Sequence, residues 1–140
     1  MQLKVKKIHP NAKLPAYAHQ NDAGMDLYVA EEVVLNPGEV SRVKTGIAVE
    51  IPDGYAGLCW DRSSLSTNYG LKTVAGVIDA GYRGEIMVGI MNLGKEAYTF
   101  KPGDRIAQMI IHKIEHPEIV EAAELSKTPR GEGGFGSTGK

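Results

Sequence analysis

The sequence predicts an all-β domain, a distorted jelly roll or β-sandwich with at most one short helix and a flexible C-terminal arm. Short runs rich in Val, Ile and aromatics alternate apolar and polar positions, the pattern of a pleated surface with one buried face. Pro37-Gly38, Pro52-Asp53-Gly54 and Pro102-Gly103 supply turns at the mouths of those runs. Five of the last eleven residues, at 131, 133, 134, 136 and 139, are glycine, which makes that stretch a flexible coil.

Taken in order, Met1–Lys7 opens in a strand-like alternation, and Val40–Val43, Gly46–Ile51, Tyr55–Trp60, Glu85–Met91 and Ile106–Ile114 read as strands. Helical signal is thin. Ser63–Asn68 can form one turn behind a Ser63 cap, and Glu118–Leu125 fits either helix or strand. With 140 residues and no internal repeat or linker, the expected organisation is one β domain over 1–129 and an arm over 130–140.

Hydrophobic residues make up 42% and charged residues 24%, with a formal net charge of −1. That balance suits a soluble globular domain and lacks the positive footprint of a polymer nucleic-acid binder. A phosphate ligand would have to be met by a few placed arginines. Cys59 is the single cysteine, so no intramolecular disulfide is expected, and its setting suits a small buried residue better than a nucleophile. No apolar signal core follows Met1 and no run approaches membrane-spanning length, so a reducing cytoplasm is the expected compartment, with no membrane partner.

Chemistry is concentrated in five stretches. Gly131, Gly133 and Gly136 match G-x-G-x-x-G, but that fingerprint needs a preceding strand, a following helix and an acid about 20 positions on. Only four residues follow Gly136, so the match is read as accidental. The arm nevertheless carries the Arg130 fork, the Phe135 ring and the Ser137 and Thr138 hydroxyls, a set suited to closing over an anionic, ring-containing ligand. In Gly76-Val77-Ile78-Asp79, the acid is a turn former or a carboxylate aimed into a cleft, and Tyr82 is a rim tyrosine or a platform for a sugar or base. Arg62, Ser63 and Ser64 suit phosphate oxygens, or form a capped surface turn. Arg105 and Gln108 lie on a strand-like run where ordinary surface alternation explains them equally well. Asp22 and Asp26 flank Gly24, enough for a metal held through water and far from an all-protein cage.

Together these stretches resemble the five ordered motifs of the trimeric dUTPases. The matching segments are Ala23–Leu27, Arg62–Ser64, Gly76–Gly84, Arg105–Gln108 and Arg130–Gly139. They fall in the family's order across nearly the whole chain. Two positions depart from the pattern: Asp61 stands where the family often has Pro, and Gly81 where it often has a second acid. Asp61 would put negative charge beside phosphate, so its side chain is expected to point away.

The resemblance implies hydrolysis of dUTP to dUMP and pyrophosphate, limiting uracil in DNA and supplying dUMP for thymidylate synthesis. It implies that Asp79 activates water and holds the 3′-hydroxyl, while Tyr82 stacks under deoxyribose and excludes a 2′-hydroxyl. Gly76, Val77 and Ile78 would read uracil through their backbone, with Met87 below. Arg62, Ser63, Ser64 and Gln108 would hold the triphosphate, with Mg²⁺ reached by Asp26 through water. Arg130 would clamp the outer phosphates, Phe135 would cover the base, and Gly136, Ser137 and Thr138 would complete the lid. A homotrimer with shared active sites is implied too. The alternatives are a dCTP deaminase-like enzyme of the same fold and a non-catalytic nucleotide sensor. The deaminase needs a glutamate where Gly89 stands.

Overall fold

A computed structural model describes residues 1–134; Phe135, Gly136, Ser137 and Thr138 lie outside the described residues. In chain order the elements are β1 (Lys4–Lys7), β2 (Met25–Tyr28), β3 (Val33–Leu35), β4 (Val40–Glu50), β5 (Tyr55–Trp60), α1 (Ser63–Tyr69), β6 (Leu71–Thr73), β7 (Val77–Ile78), β8 (Glu85–Asn92), β9 (Tyr98–Phe100) and β10 (Arg105–Lys113). They form two four-stranded sheets, β1-β4-β8-β6 and β2-β10-β5-β7, and a small β3-β9 pair. All strand pairs are antiparallel. The expected all-β fold with one short helix is what the chain adopts.

Alternation decides which side chains meet between the sheets. In β8, Ile86, Val88 and Ile90 are buried while Met87 is 40% exposed. They join Leu27, Ile47, Val49, Ile51, Leu71, Phe100, Ile106 and Met109 in one core. Each such large side chain contributes roughly 1.5–3 kcal/mol by leaving water. Buried Asn92 is fully used: its Nδ2 donates to the Leu35 and Glu96 carbonyls at 2.9 and 2.8 Å, and its Oδ1 accepts from Gly94 N–H at 2.8 Å. In β5, Trp60 stands opposite Gln108 of β10 and is 53% exposed.

Two bulges interrupt the regular ladder. Between Lys44↔Met87 and Ala48↔Glu85, β4 advances four residues while β8 moves two. Thr45, Gly46 and Ile47 are therefore buried in succession. The bulge is pinned by the Thr45 hydroxyl on the Ile86 carbonyl at 2.5 Å and by Gly46 N–H on Glu85 Oε1 at 2.8 Å. The two strands expected over Val40–Val43 and Gly46–Ile51 are thus one strand with two extra residues. In β10, Arg105 pairs with Tyr28 and Ala107 with Leu27, so Ile106 and Ala107 are both buried.

Other expectations change locally. The helix cap is Arg62, extended at φ −86° and ψ 125° and making no side-chain cap bond. Ser63 is instead the first helical residue, and its carbonyl accepts from Thr67 Oγ1 at 2.7 Å. Glu118–Leu125 forms neither helix nor strand. Ile119 and Leu125 there are 96% and 88% exposed, so the apolar periodicity has no described surface to bury against. β2, β3, β6, β7 and β9 span two to four residues each, too short for periodicity to register.

Candidate functional site

The expected site residues fall into two clefts. The first, about 280 Å³, is lined by Gly76, Val77, Ile78, Asp79, Tyr82 and Met87 among others. Its wall is a backbone loop held at close range. Val74 N–H donates to the Gly89 carbonyl at 2.9 Å, and Cys59 N–H to the Gly76 carbonyl at 2.8 Å. Gly76 has φ +133°, and a Cβ there would sit 2.8 Å from the Cys59 carbonyl oxygen, so no side chain fits. β7 then pairs briefly with β5 through Leu58↔Val77 and Gly57↔Ile78.

Asp79 follows at the exposed end of β7, and its carbonyl accepts from Tyr82 N–H at 3.1 Å. The backbone of this acid closes a turn, and the residue is one of those lining the cleft. The Tyr82 hydroxyl donates to the Glu85 carbonyl at 3.0 Å, fixing the ring over Gly84. A Cβ at Gly81 would stand in open space, so the missing second acid removes no packing. Burial pushes the Cys59 thiol up to about 11, keeping it protonated at neutral pH. It is half-buried at the cleft wall rather than fully buried as its neighbours suggested.

The second cleft, about 400 Å³, gathers Asp26, Arg62, Ser63, Ser64 and Gln108. It also brings in Asp22 and Arg105, which the sequence placed in two of the five stretches without a role of their own, and His19, which sequence reasoning missed. β2 supplies Asp26, the β5–α1 junction supplies Arg62 to Ser64, and β10 supplies Gln108. Asp26 accepts from Arg62 Nε on Oδ1 at 3.1 Å and from Arg105 on Oδ2 at 3.2 Å. Gln108 Nε2 donates to the Asp61 carbonyl at 2.8 Å. A Cβ at Gly24 would lie 2.5 Å from the Gln108 side-chain oxygen, so this glycine makes room for the amide.

Asp61 points away from the second cleft, as expected. Its carboxylate accepts from Thr73 N–H at 2.7 Å and the Thr73 hydroxyl at 2.6 Å, and it pairs with Lys72. Burial alone would raise its pKa, but the bonds from Lys72 and Thr73 outweigh burial and hold it below the ordinary value. A depressed folded pKa means the stabilisation is present above the unfolded value of about 3.9 and is lost as pH falls through the lower folded one. Asp61→Ala is expected to lose about 1–3 kcal/mol at pH 7, the cost of unmaking partly buried bonds. Thermal melts from pH 7 to pH 2 check this: the gap between the two proteins should close at the acid end.

Arg130 lines neither cleft. Its Nε donates to the Gly133 carbonyl at 2.8 Å within the arm. Phe135, Gly136, Ser137 and Thr138 are outside the described residues. Among the described residues no three His, Cys, Asp or Glu side chains cluster as a metal cage. Among the described residues no helix is long and apolar enough to cross a membrane. The two clefts have no lining residue in common.

Comparison with known proteins agrees with this geometry. The dUTPase family model matches residues 10–139. A deoxyuridine 5′-triphosphate nucleotidohydrolase of Clostridium kluyveri is 48% identical over 99% of both chains. One of Thermobifida fusca is 48% identical over 99% of this chain and 79% of its own. Among solved structures, the Staphylococcus bacteriophage 80alpha dUTPase with dUPNHPP superposes at TM-score 0.93, with 36% identity and 99% of both chains covered. A dUTPase mutant from phage phi11 of S. aureus, described with a structural Mg(II) ion, superposes at TM-score 0.83 with 34% identity, covering 89% of this chain and 98% of its own. Sequence and fold agree, and the chain belongs to the dUTPase family.

Proposed function

We propose that this protein hydrolyses dUTP to dUMP and pyrophosphate by attack of water at the α-phosphorus. The observation that carries the reading is the division of labour between the clefts: one is mostly apolar with Asp79 and Glu85 in its lining, the other brings two arginines, two serines and an amide together around Asp22 and Asp26. The first suits a base and sugar, the second a polyphosphate. Asp79 orients water and takes its proton, because a carboxylate is ionised at neutral pH and accepts only. Tyr82 lies under the deoxyribose and leaves no room for a 2′-hydroxyl. The backbone of Gly76, Val77 and Ile78 reads uracil above Met87.

Arg62, Ser63, Ser64 and Gln108 bind the phosphates, so that in-line attack rests on positioning and charge stabilisation. Arg62 meets Asp26 through Nε alone, which leaves its terminal amines for oxyanions. The donor set fits Mg²⁺ carried by the phosphates, with Asp26 holding it through water; the ion supplies charge neutralisation there. Both Asp26 oxygens already accept one bond each, and a carboxylate has room for about four. Arg130 exchanges its Gly133 carbonyl for phosphate when the arm closes, with Phe135 over the base and Gly136, Ser137 and Thr138 at its edge. Ordering costs on the order of 1–2 kcal/mol per residue, and charged bonds return roughly 1.5–3 each, so closure requires the triphosphate. The cellular role that fits is keeping uracil out of DNA and supplying dUMP, in the cytoplasm.

Among the described residues none lines both clefts, which fits a site that joins the first cleft of one copy to the second of another, as in a homotrimer. Mixing Asp79→Asn chains with Arg62→Ala chains, each inactive alone, should restore part of the activity. Absence of any recovery in mixed oligomers would count against shared sites.

Gly89 favours hydrolysis over deamination of dCTP. Glycine carries no proton-transfer group, and a Cβ there would sit 2.5 Å from the Val74 carbonyl oxygen. The deciding experiment measures pyrophosphate from dUTP, UTP, dTTP and dCTP, together with ammonia from dCTP. Release from dUTP alone is expected; no release from dUTP, or ammonia from dCTP, would overturn the assignment.

A further inference from the structure

Arg105 and Gln108 are three residues apart, so in a regular strand they would face opposite sides of the sheet. They share the second cleft because of the bulge in β10. The bulge buries Ile106 and Ala107 in succession, at 1% and 0% exposure, and so turns Arg105 back to the face that carries Gln108. A bulge that re-aims one side chain next to a functional site is a recurrent device.

The re-aimed guanidinium has one described carboxylate partner. Arg105 donates through one terminal nitrogen to Asp26 Oδ2 at 3.2 Å, while Arg62 Nε takes Oδ1 at 3.1 Å. Asp26 is nearly buried, at 13% exposure, Arg62 is at 22% and Arg105 is half exposed. Each oxygen thus has its own guanidinium, and the carboxylate is fixed between them. Freed from Arg105, Asp26 would turn both oxygens onto Arg62, since guanidinium and carboxylate prefer the two-bond fork. That fork would occupy a terminal amine that an oxyanion needs.

We propose that Arg105 is a positioning residue for the phosphate cleft: it holds Asp26 to a single bond with Arg62 and so keeps the Arg62 terminal amines open to polyphosphate. This rests on the second cleft being a phosphate site, as the proposed function has it. It adds a residue that acts through another side chain, and it requires no metal.

The test uses the full chain and inorganic tripolyphosphate as the probe, with chelator present, by calorimetry at high salt where distant charges are screened. Arg105→Gln should bind the probe about tenfold more weakly, the scale of one charge-assisted bond near a surface. Turnover of dUTP should show the same rise in KM with kcat little changed. Arg105→Lys should recover most of the affinity, since the contact uses one terminal nitrogen. In an Asp26→Asn background, the further Arg105→Gln change should have almost no effect. Unchanged probe affinity in Arg105→Gln would overturn the proposal. So would an equal loss in the Asp26→Asn background, because Arg105 would then touch phosphate directly. If wild type binds the probe in this pattern yet releases no pyrophosphate from dUTP, the reaction assignment fails and the positioning role stands.

Discussion

Asp79→Asn should bind the nucleotide as wild type does and hydrolyse it roughly 10²- to 10⁴-fold more slowly, the usual weight of general-base catalysis. The amide is nearly the same shape, so the cleft keeps its form. The backbone turn at this position, from Tyr82 N–H to the Asp79 carbonyl at 3.1 Å, does not involve the side chain. The amide oxygen still accepts from water, but it cannot take the proton as water attacks. Single-turnover hydrolysis with enzyme in excess isolates that step from product release, and calorimetry gives the affinity. A single-turnover rate close to wild type would place the base on another residue.

Gly46→Ala should be strongly destabilising. Gly46 has φ +69°, and a Cβ would lie 2.6 Å from His9 Cβ, 3.0 Å from Ala12 Cβ and 3.1 Å from Ala30 Cβ. Left-handed strain costs about 1–2 kcal/mol and overpacking a further 1–3. For a domain of this size the melting temperature should fall by on the order of 10 °C. Gly38 provides the internal control: its φ is +78°, but a Cβ there meets nothing within 4 Å. Gly38→Ala therefore carries only the backbone cost. Equal melting temperatures for the two variants would show that the crowding at Gly46 relaxes freely. The damage should also reach the first cleft, because Gly46 N–H anchors Glu85, one of its lining residues.

What was legible in the sequence divides along physical lines. Tyr55–Trp60 and Glu85–Met91 were readable because long alternation records which face is buried. Asp79, Tyr82, Arg62 and Gln108 were readable because their residue types cluster beside turn signals and match a family order. The bulges were not, since inserted residues leave no mark in composition. One extra residue in β10 reverses the parity on which strand reading depends, which is why Arg105 looked like ordinary surface alternation, while the insertion in β4 buries Thr45, Gly46 and Ile47 together and hid the continuity of that strand. Arg62 was missed as the helix cap because its role there is a backbone one, with no side-chain bond to read. The separation of hairpin and phosphate motifs was also invisible, as linear order says nothing about which motifs share a wall.

The register of β10 has one more outcome. It sets Trp60, the sole tryptophan, directly across from Gln108, about 4.5–5.5 Å away at Cβ. Indole emission follows the polarity around the ring, and half of this ring faces solvent. The chain therefore carries its own optical gauge beside the amide of the second cleft, and a titration can be followed by intrinsic tryptophan fluorescence, with no dye attached.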